Sequence, residues 1–153
     1  MTAITCNNWG IASAVTVESS PVGDTLRVLL VDDYDPYRAC VAHCLRTHLN
    51  ADVVEARDGL VALEHTRQQT FDVIVLDVEM PQMNGVELFE RLTAEHAART
   101  VFVTGGGREE RQTWLGQFDP GRVLRKPVDL ERLTSVIEAI RPRPSLQRSK
   151  RQP

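Results

Sequence analysis

The chain has 153 residues, of which 42% are hydrophobic, and a net charge of −3. That is enough apolar content for one core, so a single domain is expected, and no stretch approaches the roughly 18 apolar residues of a membrane span. The opening MTAITCNNWGIASAV lacks the positive charge of a secretory signal, and Cys6, Cys40 and Cys44 have neither disulfide-framework nor zinc spacing. The expectation is a cytoplasmic protein with reduced thiols.

In chain order, residues 1–25 read as a flexible extension, residues 26–140 as the domain and residues 141–153 as a disordered tail with five bases and no acid. Nucleic acid is not an expected partner except through that tail. The first apolar run, RVLLVDD at 27–33, drives straight into carboxylates and reads as a buried strand. Asp35-Pro36 then signals a helix start, with Asp35 as the cap, and Val41, Cys44, Leu45 and Leu49 recur at helical spacing up to Asn50. A weaker strand at Val53-Val54 precedes the turn Asp58-Gly59 and a second helix over about 60–67. The run FDVIVLDVEMPQMNG at 71–85 gives the third strand, and a third helix begins near Gly85 with Val86, Leu88, Phe89 and Leu92 on its apolar face. TVFVTGGG at 100–107 is the fourth strand, followed by a helix around 108–118 that Gly116 interrupts. RVLRKPV at 122–128 is the fifth strand, and a last helix at about 129–140 carries Leu130, Leu133, Ile137 and Ile140 in one stripe and stops before Pro142.

Five strand and helix units of this kind predict an α/β fold. The specific expectation is a flavodoxin-like, doubly wound, five-stranded parallel sheet of order 2-1-3-4-5 with five helices. In that order the first and third strands are neighbours at the switch point, and their C-terminal ends carry Asp32, Asp33 and Asp77. Three convergent carboxylates repel one another unless a cation neutralises them, and all-oxygen ligation suits Mg²⁺ or Mn²⁺. Lys126 is one of only two lysines among 18 basic residues and the only one inside the domain, a compact point charge where arginine serves elsewhere. The run Gly105-Gly106-Gly107 lacks P-loop and dinucleotide-fingerprint spacing, so it reads as a mobile loop and not a phosphate cradle. The four histidines share no common spacing and read as exposed or partly buried residues, while Met80, Met83 and Trp114 read as packing.

Taken together, Asp32-Asp33, Asp77 with Met80-Pro81 and Asn84-Gly85, Thr104, and Lys126-Pro127 resemble the receiver domain of two-component response regulators. Smaller landmarks agree, at Glu55-Ala56, Asp58-Gly59 and Ala62-Leu63. The resemblance implies a stand-alone phosphoacceptor whose partners are a sensor histidine kinase or a histidine phosphotransfer protein. Asp77 would take the phosphoryl group, with Thr104 and Lys126 assisting. Asp32, Asp33, Asp77 and the backbone carbonyl of Glu79 would hold Mg²⁺. The face of the fourth helix, fifth strand and fifth helix would meet a downstream protein. Gly106, at a position that tunes phosphoryl lifetime in the family, implies a short-lived aspartyl phosphate. One departure stands out, because the family's aromatic in the fifth strand corresponds to Val123. It leaves an alternative open, a receiver fold used as a constitutive interaction scaffold.

Overall fold

Alternating apolar side chains on five short strands pack helices on both sides of one sheet, as the computed structural model shows for residues 25–143 apart from Gly107. The extension before Thr25 and the tail beyond Arg143 lie outside the described residues. In chain order the elements are β1 (Arg27–Val31), α1 (Asp35–Leu49), β2 (Asp52–Ala56), α2 (Gly59–Gln68), β3 (Val73–Asp77), α3 (Gly85–Glu90) and α4 (Ala94–Ala98). They continue with β4 (Thr100–Thr104), α5 (Glu109–Leu115), a 3₁₀ turn (Pro120–Arg122), β5 (Val123–Arg125) and α6 (Leu130–Ile140). All neighbouring strands are parallel, in the order β2-β1-β3-β4-β5. Among the described residues, no helix is long and apolar enough to cross a membrane.

The period of two along each strand divides the core. Val28, Leu30, Val73, Val75, Val101 and Val103 face α1 and α6. Leu29, Val31, Ile74, Leu76 and Phe102 face α2, α3 and α5. Every residue of β3 and β4 is buried, as parallel strands covered on both faces require.

Local signals set most boundaries. Asp58 caps α2 by accepting from the Val61 N–H, and Asn84 with Glu87 forms a capping box on α3. Asn50 ends α1 in the left-handed region, and Asp129 caps α6. Three expectations fail. Asp35 is the first residue of α1 and not its cap; Tyr34 occupies the cap position, and Asp35 instead bonds the Arg38 guanidinium at 2.6 Å. There are also six α-helices and not five among the described residues, because the chain leaves helical geometry after Glu90. Arg91 and Leu92 make tight bonds to Leu88 and Phe89 carbonyls, and extended Thr93 caps the separate helix α4. In α4, His96 is fully buried and neither exposed nor partly buried, with its Nε2 accepting from the Phe71 N–H at 3.3 Å.

At Gly85, α3 lies close against the end of β3: a Cβ there would sit 2.5 Å from the Asp77 carbonyl oxygen and 2.7 Å from the Val78 Cα. Both are backbone atoms and cannot yield cheaply. Gly85→Ala is therefore expected to lower stability by roughly 2 kcal/mol or more. Gly105→Ala, whose Cβ meets nothing within 4 Å, should stay within about 0.5 kcal/mol of the parent. Urea unfolding of the two variants checks the contrast.

Candidate functional site

The crevice at the carboxyl ends of β1 and β3 opens because α1 and α3 leave these neighbouring strands toward opposite faces of the sheet. Asp32 follows β1 directly and is held on three sides. Its N–H donates to the Ala56 carbonyl (3.1 Å), its Oδ1 accepts from the Tyr34 N–H (2.8 Å), and its own carbonyl accepts from Arg38 Nη1 (2.7 Å). Asp77 is the last residue of β3, and its Oδ1 accepts from the Glu79 N–H at 3.1 Å. Both carboxylates are only 2% exposed, whereas Asp33 is open to solvent.

Carboxylate oxygens of Asp32, Asp33 and Asp77 lie within 4.8 Å of one another. Lys126, immediately after β5, reaches into the group from the other side. Its Nζ donates to Asp32 Oδ2 at 2.8 Å and Asp77 Oδ2 at 3.2 Å, and sits 4.7 Å from the centre of the Tyr37 ring. The Lys126 N–H donates to the Thr104 carbonyl at 2.8 Å, which ties the lysine to the end of β4. The Lys126-Pro127 peptide is cis. Thr104 is buried beside Asp77, with its hydroxyl donating to the Glu79 carboxylate at 3.3 and 3.4 Å. The structure thus brings together Asp32, Asp33, Asp77, Glu79, Thr104 and Lys126.

Electrostatics follow from burial. Removal from water raises the Asp77 pKa most, Lys126 pulls it back, and the Asp32 charge raises it again, leaving it at about 7. Burial alone would lower the Lys126 pKa, but the hydrogen bond to Asp32 and the charges of Asp77 and Asp32 outweigh it and raise the value. Burial, then the same two carboxylates, pushes the Tyr37 phenol upward, so it stays neutral. With every group ionised, three carboxylates against one ammonium leave two uncompensated negative charges. An all-oxygen cluster with that deficit fits a hard divalent cation.

Two residues here have no signal in the sequence. Tyr37 lies on α1, and its place beside Lys126 depends on the packing of distant elements. Gln112 lies on α5, and its Nε2 donates to the Thr104 hydroxyl at 3.2 Å. Only the register of α5 over β4 reveals it.

A family model for the response regulator receiver domain matches residues 28–138. The chain belongs to this family. It is therefore a receiver domain of two-component signalling, a signalling domain by type. Among curated relatives, a protein-glutamate methylesterase/protein-glutamine glutaminase of Geobacillus kaustophilus is 35% identical over 65% of this chain and 29% of its own length. The chain spans only 19% to 35% of the length of such methylesterase relatives. Chemotaxis protein CheY-3 of Vibrio cholerae is 27% identical over 75% of this chain and 91% of its own. The solved structure of Vibrio cholerae CheY4 is 28% identical, with a TM-score of 0.66 over 76% of this receiver and 99% of that chain.

The raised Asp77 value carries a stability consequence. The unfolded chain releases this proton near the ordinary value of 3.8, while the folded receiver keeps it to about 7. Stability therefore falls as pH rises through that window and levels off above it. In chelator, Asp77→Asn should gain on the parent across pH 4 to 7, reaching an advantage on the order of 2 kcal/mol above it. Denaturant unfolding at a series of pH values checks this; a difference independent of pH would contradict it.

Proposed function

We propose that this receiver accepts a phosphoryl group onto Asp77 from the phosphohistidine of a sensor histidine kinase or a histidine phosphotransfer protein, and that the change switches protein partners or relays the group onward. The observation that carries the reading is the buried Asp77 carboxylate, set among Asp32, Asp33 and Lys126 with an exposed acid at the rim. An Asp77 carboxylate oxygen attacks phosphorus, the P–N bond to the donor imidazole breaks, and the imidazole retains the bonding electron pair and takes up a proton.

Asp33, Asp77 and the Glu79 backbone carbonyl would hold Mg²⁺, with Asp32 assisting and Mn²⁺ as a substitute. When bound, that ion neutralises the clustered carboxylates and the incoming phosphoryl oxygens together. Lys126 keeps Asp77 oriented before transfer and offers the same ammonium to a phosphoryl oxygen afterwards. The Thr104 hydroxyl turns its proton from Glu79 to another phosphoryl oxygen. Its present bond, at 3.3 to 3.4 Å, is long and readily exchanged.

Gly105 and Gly106 are exposed, and nothing lies within 4 Å of a Cβ built on either. Water can reach the site past them, which supports a short-lived aspartyl phosphate; persistence for many hours in Mg²⁺ would count against it. The downstream partner is proposed to meet the face of α5, β5 and α6. The donor's chemistry sets the cytoplasm as the proposed location.

The test is intact mass after incubation with acetyl phosphate and Mg²⁺, and separately with a phosphorylated histidine donor. One added phosphoryl group, absent in Asp77→Asn and in chelator, is the expected result. A folded protein that gains no mass from either donor would favour the constitutive scaffold.

A further inference from the structure

Thr104 ends β4 on the same face as Phe102, the face covered by α5. Its hydroxyl has one proton and two lone pairs, and all three are engaged. The proton points to the Glu79 carboxylate, while the oxygen accepts from the Gly106 N–H at 3.2 Å and from Gln112 Nε2 at 3.2 Å. Because the proton is directed to Glu79, the Gln112 amide can serve this oxygen only through its NH₂ group. A phosphoryl oxygen only accepts, so it competes for the proton alone. Thr104 can redirect that proton while its oxygen stays bonded to Gln112.

No aromatic ring lies on β5, where Val123 is packed among aliphatic and aromatic neighbours. The rings are elsewhere: Trp114, on α5 two residues from Gln112, packs against Phe102 at 5.4 Å, Phe89 at 5.5 Å and Phe118 at 4.7 Å. Any displacement of the Thr104 end of β4 that α5 follows must change the surroundings of this indole.

We propose that Gln112 is the positioning residue that ties the Thr104 hydroxyl to α5, so that a phosphoryl group on Asp77 is reported through this side-chain hydrogen bond and not through an aromatic on β5. The inference rests on the proposed phosphorylation of Asp77. α5 then moves with Thr104 as one unit, and the Trp114 cluster registers the movement.

The experiment uses full-length protein carrying Trp9→Phe, which leaves Trp114 as the only tryptophan. Acetyl phosphate and Mg²⁺ supply the phosphoryl group; the P–O bond to acetate breaks, the bond to Asp77 forms and acetate leaves. Intact mass and Trp114 fluorescence are read on the same samples. Gln112→Met keeps side-chain length and helix propensity but has no N–H donor. It is expected to gain the phosphoryl mass as the parent does while its Trp114 response shrinks about five-fold, the factor one neutral hydrogen bond of coupling supplies. Gln112→Ala replaces it should circular dichroism show Gln112→Met unfolded. An undiminished response in the phosphorylated variant overturns the inference, as does a parent that gains the mass with no Trp114 response. Absence of added mass in the parent fails the Asp77 reading itself, and the coupling with it.

Discussion

Asp32 and Asp77 are shut from water within a few ångströms of each other, and a single ammonium holds them there. With no more than 4.8 Å between their oxygens and an effective dielectric of about 20, two carboxylates repel by about 3.5 kcal/mol or more. Lys126 opposes this but is shared, at 2.8 Å to one partner and 3.2 Å to the other. Burial raises the Asp77 pKa most, and the Asp32 charge adds to the rise while Lys126 opposes it. Losing Lys126 would leave two buried charges without a partner, a situation that costs several kcal/mol in proteins generally.

Much of the fold near β5 serves to keep that ammonium in place. β5 is only three residues long and lies at the sheet edge, so its own ladder is a weak anchor. The Arg122 guanidinium reinforces it, with bonds to the Thr100 carbonyl at 2.8 and 2.6 Å and to the Ala97 carbonyl at 2.8 Å. This also gives the unforeseen helix α4 a purpose, since its Ala97 carbonyl receives one bond of the strap while the others go to the start of β4. A one-residue slip of β5 would turn alternate side chains to the opposite face and withdraw Lys126 from the acids.

Features that depend on sequence-local physics were legible in the chain. The runs VIVL at 73–76 and VFV at 101–103 have no polar residue to place on a solvent face, so they fit only strands buried on both sides, and the Asp77 and Thr104 that end them mark the crevice. Asp58, Asn84 and Asp129 are caps whose bonds span two or three residues. Legibility stops where competing partners or long-range packing decide. Asp35 next to Pro36 has the composition of a cap, but Asp32 already fixes the Tyr34 N–H and advances the helix start by one residue. The break at 91–93 depends on Thr93 finding the His96 N–H, and that histidine on bonding Phe71 across the β3 entry. Tyr37 and Gln112 act on residues tens of positions or a full loop away, and periodicity carries no trace of such contacts.

The rigid and yielding sides of the crevice differ in a way that bears on how the proposed switch works. On the β1 side, Asp32 is clamped by bonds of 2.7 to 3.1 Å to Arg38, Tyr34 and Ala56, and Gly85 backs directly onto the Asp77 carbonyl. On the β4 side, the bonds of the Thr104 hydroxyl are 3.2 to 3.4 Å, and a Cβ built on Gly105 or Gly106 would meet nothing within 4 Å. A phosphoryl group adds close to two negative charges and several strong acceptors to a cluster already short of positive charge. The clamped side has no slack with which to respond. The rearrangement therefore falls on Thr104 and whatever is bonded to it, and a ligand shifts a population only through contacts that differ between two states. In this chain the only side chain on α5 bonded to that hydroxyl among the described residues is Gln112. Specialisation of the β4–α5 side thus follows from the rigidity of the β1–β3 side, and the valine on β5 does not deprive the domain of a route outward.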